Sequence, residues 1–221
     1  MSMSIETSSA APAHGERAHG VPAYSDVIFD FCDVLVDWRP RIPLEGQYPP
    51  GVIDMFFDRA DEYGFWHYDE LSDLGWSEER ILADYEEHHG PAVAWVFRVY
   101  FERQRMALAG MIPGMETLLR DLDAAGVRCW GLTNFTVKYV DAARELFPAL
   151  GLLCDVVVSS TERVHKPDAE IYRRAIARFG VDPATTAFVD DKQRNADAAT
   201  AVGLAGIRFT AADALRARLF A

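Results

Sequence analysis

The chain has 221 residues, enough to bury the core of one α/β domain carrying a modest insertion. Half of its residues are hydrophobic and a quarter are charged, as in an ordinary soluble globular protein, and no apolar run is long enough to span a bilayer. A formal net charge of −12 argues against nucleic acid or an anionic membrane as the main partner. It also obliges any anionic substrate to meet a local positive site, supplied by a metal or by specific lysines and arginines.

Residues 1–24 are rich in Ser, Ala, Gly and His and nearly lack large apolar side chains, so a disordered tail is expected there, with His14 and His19 in solvent. The segment has no apolar signal-peptide core. Cys32, Cys129 and Cys154 lie in apolar stretches without paired or metal-like spacing, which reads as buried thiols in a reducing compartment. The expected location is cytoplasmic.

Val27-Ile28-Phe29 ends abruptly on Asp30, and a second apolar run resumes at Val34. This pattern predicts a buried parallel strand that delivers Asp30 at its carboxyl end, where open α/β sheets place their ligands. A carboxylate on a rigid strand tip serves as nucleophile, as metal ligand, or as both. Alone, the stretch also suits, as the lesser alternative, an aspartate that merely caps a strand-to-loop turn.

A loop dense in Pro and Gly follows, and from Val52 to about Met106 the pattern is helical with no convincing strand. Ile53, Phe56, Phe57 and Ala60 recur at helical spacing. Ser77 before Glu78 and Glu79 predicts an N-cap, with a helix running to about Glu87. Gly90-Pro91 breaks it, and a third helix carries Trp95, Val99 and Met106. Most of the aromatic residues between Phe65 and Phe101 are expected in a core, one or two of them in a pocket. His67, with Asp69 and Glu70 near it, is read as a surface or structural residue in preference to an acid/base group. The expected division is a core of residues 25–45 and 108–221 and a helical cap over 46–107.

From Pro113 onward, helix and strand alternate. Helices are expected over Gly114–Ala125, Thr136–Leu146, Asp168–Phe179, Asn195–Val202 and Ala211–Leu219. The strands between them are Val127–Leu132, Val156–Val158, Ala187–Val189 and Ile207–Phe209. The fold class is therefore α/β, a Rossmann-like parallel sheet with helices on both faces, plus a small all-helical cap inserted after the first strand. Polar residues recur at strand ends: Asp30, Thr133-Asn134 and Asp190-Asp191. Lys166-Pro167 stands at the mouth of a helix. Gathered on one sheet edge, these provide a nucleophile, hydroxyl and amide donors, a cation and an acid pair able to hold a hard metal. Such a set suits phosphoryl transfer.

Four stretches carry a resemblance: Phe29-Asp30-Phe31-Cys32-Asp33-Val34-Leu35, Leu132-Thr133-Asn134, Lys166-Pro167-Asp168-Ala169-Glu170-Ile171-Tyr172, and Phe188-Val189-Asp190-Asp191 continuing through Asn195 to Gly203-Leu204. The chain resembles the haloacid dehalogenase superfamily in its helical-cap branch. It is most similar there to α-glucose-1-phosphate phosphatases and to the phosphatase domain of soluble epoxide hydrolases. The resemblance implies a small phosphorylated substrate and Mg²⁺, with Asp30 attacking phosphorus to form an aspartyl-phosphate. It further implies that Asp30, the Cys32 backbone carbonyl and Asp191 hold Mg²⁺, while Asp190 orients Lys166 or a water of the metal. Thr133 and the Asn134 backbone would bind the transferring phosphate, and Lys166 would neutralise it together with the nucleophile.

One position departs from the pattern. Most phosphatases of this superfamily carry a second aspartate, the general acid and base, where this chain has Cys32. Asp33 is one residue too late and, on a strand-like segment, would point the other way. The glucose-1-phosphate-type relatives carry glycine there, so the departure does not exclude activity. It points to a slower enzyme, a substrate with a good leaving group, or a proton donor from the cap. Two other readings stand beside the phosphatase: a metal-independent 2-haloacid dehalogenase, opposed by Asp190-Asp191, and a non-catalytic binding protein on the same fold.

Overall fold

A computed structural model describes residues 20–220. Five parallel strands form the sheet: β1 (Asp26–Phe29), β4 (Arg128–Thr133), β5 (Leu153–Val158), β6 (Thr186–Asp190) and β7 (Ala205–Arg208), in the order β5-β4-β1-β6-β7. Period-two alternation divides β1 between the two faces. Val27 and Phe29 join one apolar cluster, and Ile28 joins the other. Helices α5 (Met115–Ala124), α6 (Val137–Leu146) and α10 (Ala212–Leu219) cover the first face with Leu118, Leu122, Val140 and Leu215. Helices α8 (Ala169–Phe179) and α9 (Gln193–Ala201) cover the second with Ile171, Tyr172, Phe179 and Ala199. A single turn, α7 (Ser159–Glu162), follows β5. Thr136 and Asp168 cap α6 and α8 by accepting from the backbone N–H groups of Tyr139 and Glu170, as their residue types favour.

Between β1 and β4 the chain leaves and returns through an antiparallel ribbon of β2 (Val36–Trp38) and β3 (Leu108–Met111). The expected elements do not include this ribbon, because three or four residues are too few to display an alternation. Four α-helices lie between its strands: α1 (Pro50–Phe56), α2 (Phe65–Asp73), α3 (Glu78–His89) and α4 (Pro91–Arg103). They share an aromatic core that includes Phe56, Phe65, Tyr68, Tyr85, Phe97 and Tyr100. Ser77 caps α3, its hydroxyl accepting from Arg80 N at 3.2 Å.

Several local expectations are corrected. Ala60 lies beyond the end of α1, and Met106 lies beyond the end of α4. The buried face of α4 carries Ala94, Val96, Phe97, Tyr100 and Phe101, whereas Trp95 is 58% exposed. Cys129 is buried, Cys32 half-buried and Cys154 exposed, so of the three thiols expected to be buried only Cys129 is fully so, and the expectation fails outright at Cys154. That residue lies near the start of the edge strand β5, where one side has no neighbour. Of the segment expected to be disordered, residues 1–19, with His14 and His19, lie outside the described residues. Ala23 N donates to Leu219 O at 2.8 Å. No helix among the described residues is long and apolar enough to cross a membrane.

Candidate active site

Asp30 follows the last residue of the central strand, flanked by the ends of β4 and β6, so Thr133 and Asp190 arrive on either side of it. The residue is 4% exposed. Its Oδ1 accepts from Phe31 N at 2.7 Å and pairs with Lys166 Nζ at 2.8 Å. Oδ2 has no donor among the described residues. Burial pushes Asp30 up to about 7, against the pull of Lys166 and with the push of Asp190.

Lys166 is 1% exposed, and its ammonium meets three acceptors: Asp30, Asp190 Oδ2 at 2.8 Å and the Leu132 carbonyl at 3.1 Å. Burial lowers its pKa, but the two carboxylates outweigh burial and hold it above the ordinary lysine value. Asn134 clamps the backbone that carries it: Nδ2 donates to Lys166 O at 3.0 Å, and Lys166 N donates to Oδ1 at 2.8 Å. Sequence reasoning assigned only the Asn134 backbone a role, so this clamp is new.

Asp190 is saturated with donors. Its Oδ1 accepts from Lys192 N and Asn195 Nδ2, both at 2.9 Å, and its Oδ2 accepts from Lys166 and from Asn195 at 3.0 Å. Burial pushes Asp190 up, but Lys166 and these bonds outweigh it and hold the group below the usual carboxylate range. Asp191 differs, because its Oδ1 is buried without a partner and burial raises its pKa. Oxygens of Asp30, Asp190 and Asp191 all lie within 4.8 Å of one another. Three carboxylates against one lysine, with an orphaned acceptor among them, fit a hard dication bound through oxygen. Thr133 Oγ1, at the end of β4, is likewise fully buried and unpartnered.

Asp30, Asn134 and Lys166 floor a cleft of about 730 Å³ whose far wall comes from the helical insertion, whereas Asp191 lines a neighbouring pocket beside Arg208 and Phe209. Cys32, Trp38, Trp66 and Phe135 line the cleft together with Arg59, Lys192 and Arg194. The Arg59 guanidinium stacks 3.9 Å above the Trp66 ring. Asp69, Glu70 and Asp73 also line it, whereas His67 is exposed and packs edge-on against Tyr63. Sequence reasoning treated Asp69 only as a neighbour of His67 and missed Asp73. Their i, i+4 spacing was the available signal, but such a pair reads equally well as a solvated face. Asp33 does not lie on a strand. Its φ of +59° places it in a left-handed turn between Phe31 and Val36, exposed at the rim of the cleft. Burial and the carboxylates of Asp30 and Asp73 push the Cys32 thiol well up.

Residues 27–203 match the family described as haloacid dehalogenase-like hydrolase. A sesquiterpene phosphatase of Aspergillus oryzae is 35% identical over 96 residues, 43% of this chain and 49% of the relative. A flavin mononucleotide hydrolase of Arabidopsis thaliana is 29% identical over 104 residues, 47% of this chain and 42% of the relative. The matches thus span about half or less of these curated relatives. The fold is shared with a HAD family enzyme of Bacteroides thetaiotaomicron in complex with magnesium and inorganic phosphate, at a TM-score of 0.66 and 18% identity over 85% of this chain and 95% of that one. It is shared too with a dehalogenase in an intermediate complex, at a TM-score of 0.62 and 18% identity over 86% of each chain.

Proposed function

The chain belongs to the haloacid dehalogenase-like hydrolases, and we propose that within them it is a Mg²⁺-dependent phosphatase that attacks a small phosphorylated metabolite with Asp30. The observation that carries this reading is the open Oδ2 of Asp30. It lies in a site where Lys166 cancels part of the negative charge and Thr133 holds an unused hydroxyl. The phosphatase and the flavin mononucleotide hydrolase among the relatives support it.

In this reading Oδ2 bonds to phosphorus as the bond from phosphorus to the leaving oxygen breaks, and water later cleaves the aspartyl-phosphate. Lys166 holds the nucleophile in place and neutralises the transferring group. The Thr133 hydroxyl and the Asn134 N–H donate to phosphoryl oxygens. Asp190, bound on both oxygens, keeps Lys166 aimed and charged. Asp30, the Cys32 carbonyl and Asp191 would hold Mg²⁺, which supplies positive charge that lets a phosphate approach a protein of net charge −12.

A phosphate-release assay across a panel of sugar, alkyl, aryl and nucleotide phosphates, with Mg²⁺ and with a chelator, tests the proposal. Metal-dependent release from some panel members is expected, lost in Asp30→Asn, which is nearly isosteric. Full activity in the chelator, or in a folded Asp30→Asn, would refute it. Halide release from a 2-haloacid under chelation would install the dehalogenase chemistry instead.

A further inference from the structure

An alkyl phosphate leaves as an alkoxide unless a proton meets it, and the core groups around Asp30 are poorly suited to donate one. Cys32 holds its proton too tightly. Asp190 is committed to Lys166, Lys192 N and Asn195. His165 directs Nε2 at Glu70 and Nδ1 at the Lys166 carbonyl, at 3.3 and 2.9 Å.

The cap provides a different kind of group. Asp69 and Asp73 stand one helical turn apart on α2, line the same cleft as Asp30 and Lys166, and have no hydrogen-bond or ion-pair partner for their side chains among the described residues. Two contacts pin the end of α2 and the turn after it to the core. Three residues before Asp73, Glu70 reaches His165 beside Lys166. Two residues after it, Gly75, at φ +92°, runs so close to the core that a Cβ would stand 2.5 Å from the Ser160 carbonyl. Asp73 is therefore fixed against the site.

We propose that Asp73 is the general acid that protonates the leaving oxygen and then the general base for the attacking water, with Asp69 keeping a proton on the pair. The inference rests on the phosphatase reading. In the first step Asp30 Oδ2 bonds to phosphorus, the bond to the leaving oxygen breaks, and the proton on Asp73 moves to that oxygen. In the second step water bonds to phosphorus on the vacated side, its proton passes to Asp73, and the bond from phosphorus to Asp30 breaks. The enzyme returns to its starting protonation state. Burial and the Asp69 carboxylate keep Asp73 well above the ordinary range, while burial pushes Asp69 up to about 7. The charges facing the pair are Glu70 on its own helix, Arg59 on the cap, and Asp30, Lys166 and Lys192 from the core. A proton held by two crowded carboxylates is available near neutral pH, as a general acid requires.

The test uses the full chain with Mg²⁺, 4-nitrophenyl phosphate and glycerol 3-phosphate. Asp73→Asn is expected to slow the alkyl ester by about 10²–10⁴-fold. With the aryl ester it is expected to release one nitrophenolate per site in a burst and then turn over slowly, leaving phosphate on Asp30 in an acid-quenched mass spectrum. Asp73→Glu is expected to recover part of both effects. Asp69→Asn removes a neighbouring negative charge, so the alkaline fall in alkyl-ester kcat should move to lower pH. If Asp73→Asn does not fold, Asp73→Ser carries the same readouts. A folded Asp73 variant with the wild-type ratio of the two rates and no burst would overturn the inference and leave the phosphatase reading standing. A wild type that releases phosphate from neither ester, nor from the panel above, would overturn both.

Discussion

Lys166 shows how one residue can be structural and chemical at once. Its ammonium is buried between two carboxylates and a carbonyl, so every proton is bonded and none is left for solvent. A buried charge of this kind is stable only through its partners, and removing one strands the others. Lys166→Met should therefore abolish turnover and destabilise the protein by about 3–5 kcal/mol at pH 8. The loss should be smaller at pH 5, where Asp30, already pushed up to about 7 in the wild type, can take a proton and cease to be a stranded charge. Urea unfolding at the two pH values measures this. An equal loss at both would show that Asp30 does not titrate in that range. Thr133 and Asp191 carry the opposite signature, polar atoms buried without a partner, as suits groups whose bonding a phosphate and a metal would complete.

At the scale of elements, the site is the product of strand order. Placing β1 between β4 and β6 puts a nucleophile candidate, a hydroxyl and an acid pair within one strand spacing on either side of the sheet centre. Helix α9 then locks the acid pair, because Asn195 in its first turn donates twice to Asp190. That helix lies so close to β7 that a Cβ on Gly206 would stand 2.0 Å from the Ala196 carbonyl and 2.5 Å from Thr200 Oγ1. Gly206→Ala should force α9 away from the sheet, costing at least about 1–3 kcal/mol. It should also loosen Asn195 from Asp190 and so lower kcat, although residue 206 is not among the residues lining the cleft. Thermal unfolding with wild-type stability and unchanged kcat would show that the helix can shift without moving Asn195.

Over the whole molecule, the helical insertion and the sheet edge face each other across a cleft crowded with acids. Burial pushes both Asp30 and Asp69 up to about 7, far above the carboxylate value of an unfolded chain. A carboxylate raised in the folded state contributes most below its unfolded pKa, and that contribution is lost as pH rises through the folded value. Asp190, held low, has the reverse sign: its contribution is present at neutral pH and is lost as pH falls through its folded value. The metal-free protein should therefore lose stability between about pH 5 and pH 8. Mg²⁺ should restore part of the loss by binding only the folded form. Asp69→Asn should stabilise more at pH 8 than at pH 5. Differential scanning calorimetry across that range is the measurement, and a Tm that climbs steadily to pH 8 without metal would contradict it.

Local pattern settled whatever repeats over several residues or ends on a distinctive one. The buried strand Val27-Ile28-Phe29, the N-cap Ser77 and the polar tips Asp30, Thr133 and Asp190 were all legible, because burial and capping act on neighbours in the chain. The resemblance drawn from the tips also led to the hydrolase family. Tertiary structure alone decided how the insertion meets the core. The three-residue strand β2, the burial of Phe97 in place of Trp95, and the entry of Asp73 in place of His67 into the cleft depend on contacts made far along the chain. An aspartate on a helix looks the same in sequence whether it faces water or a nucleophile. Only the packing of α2 against His165, and of the turn after it against Ser160, distinguishes the two.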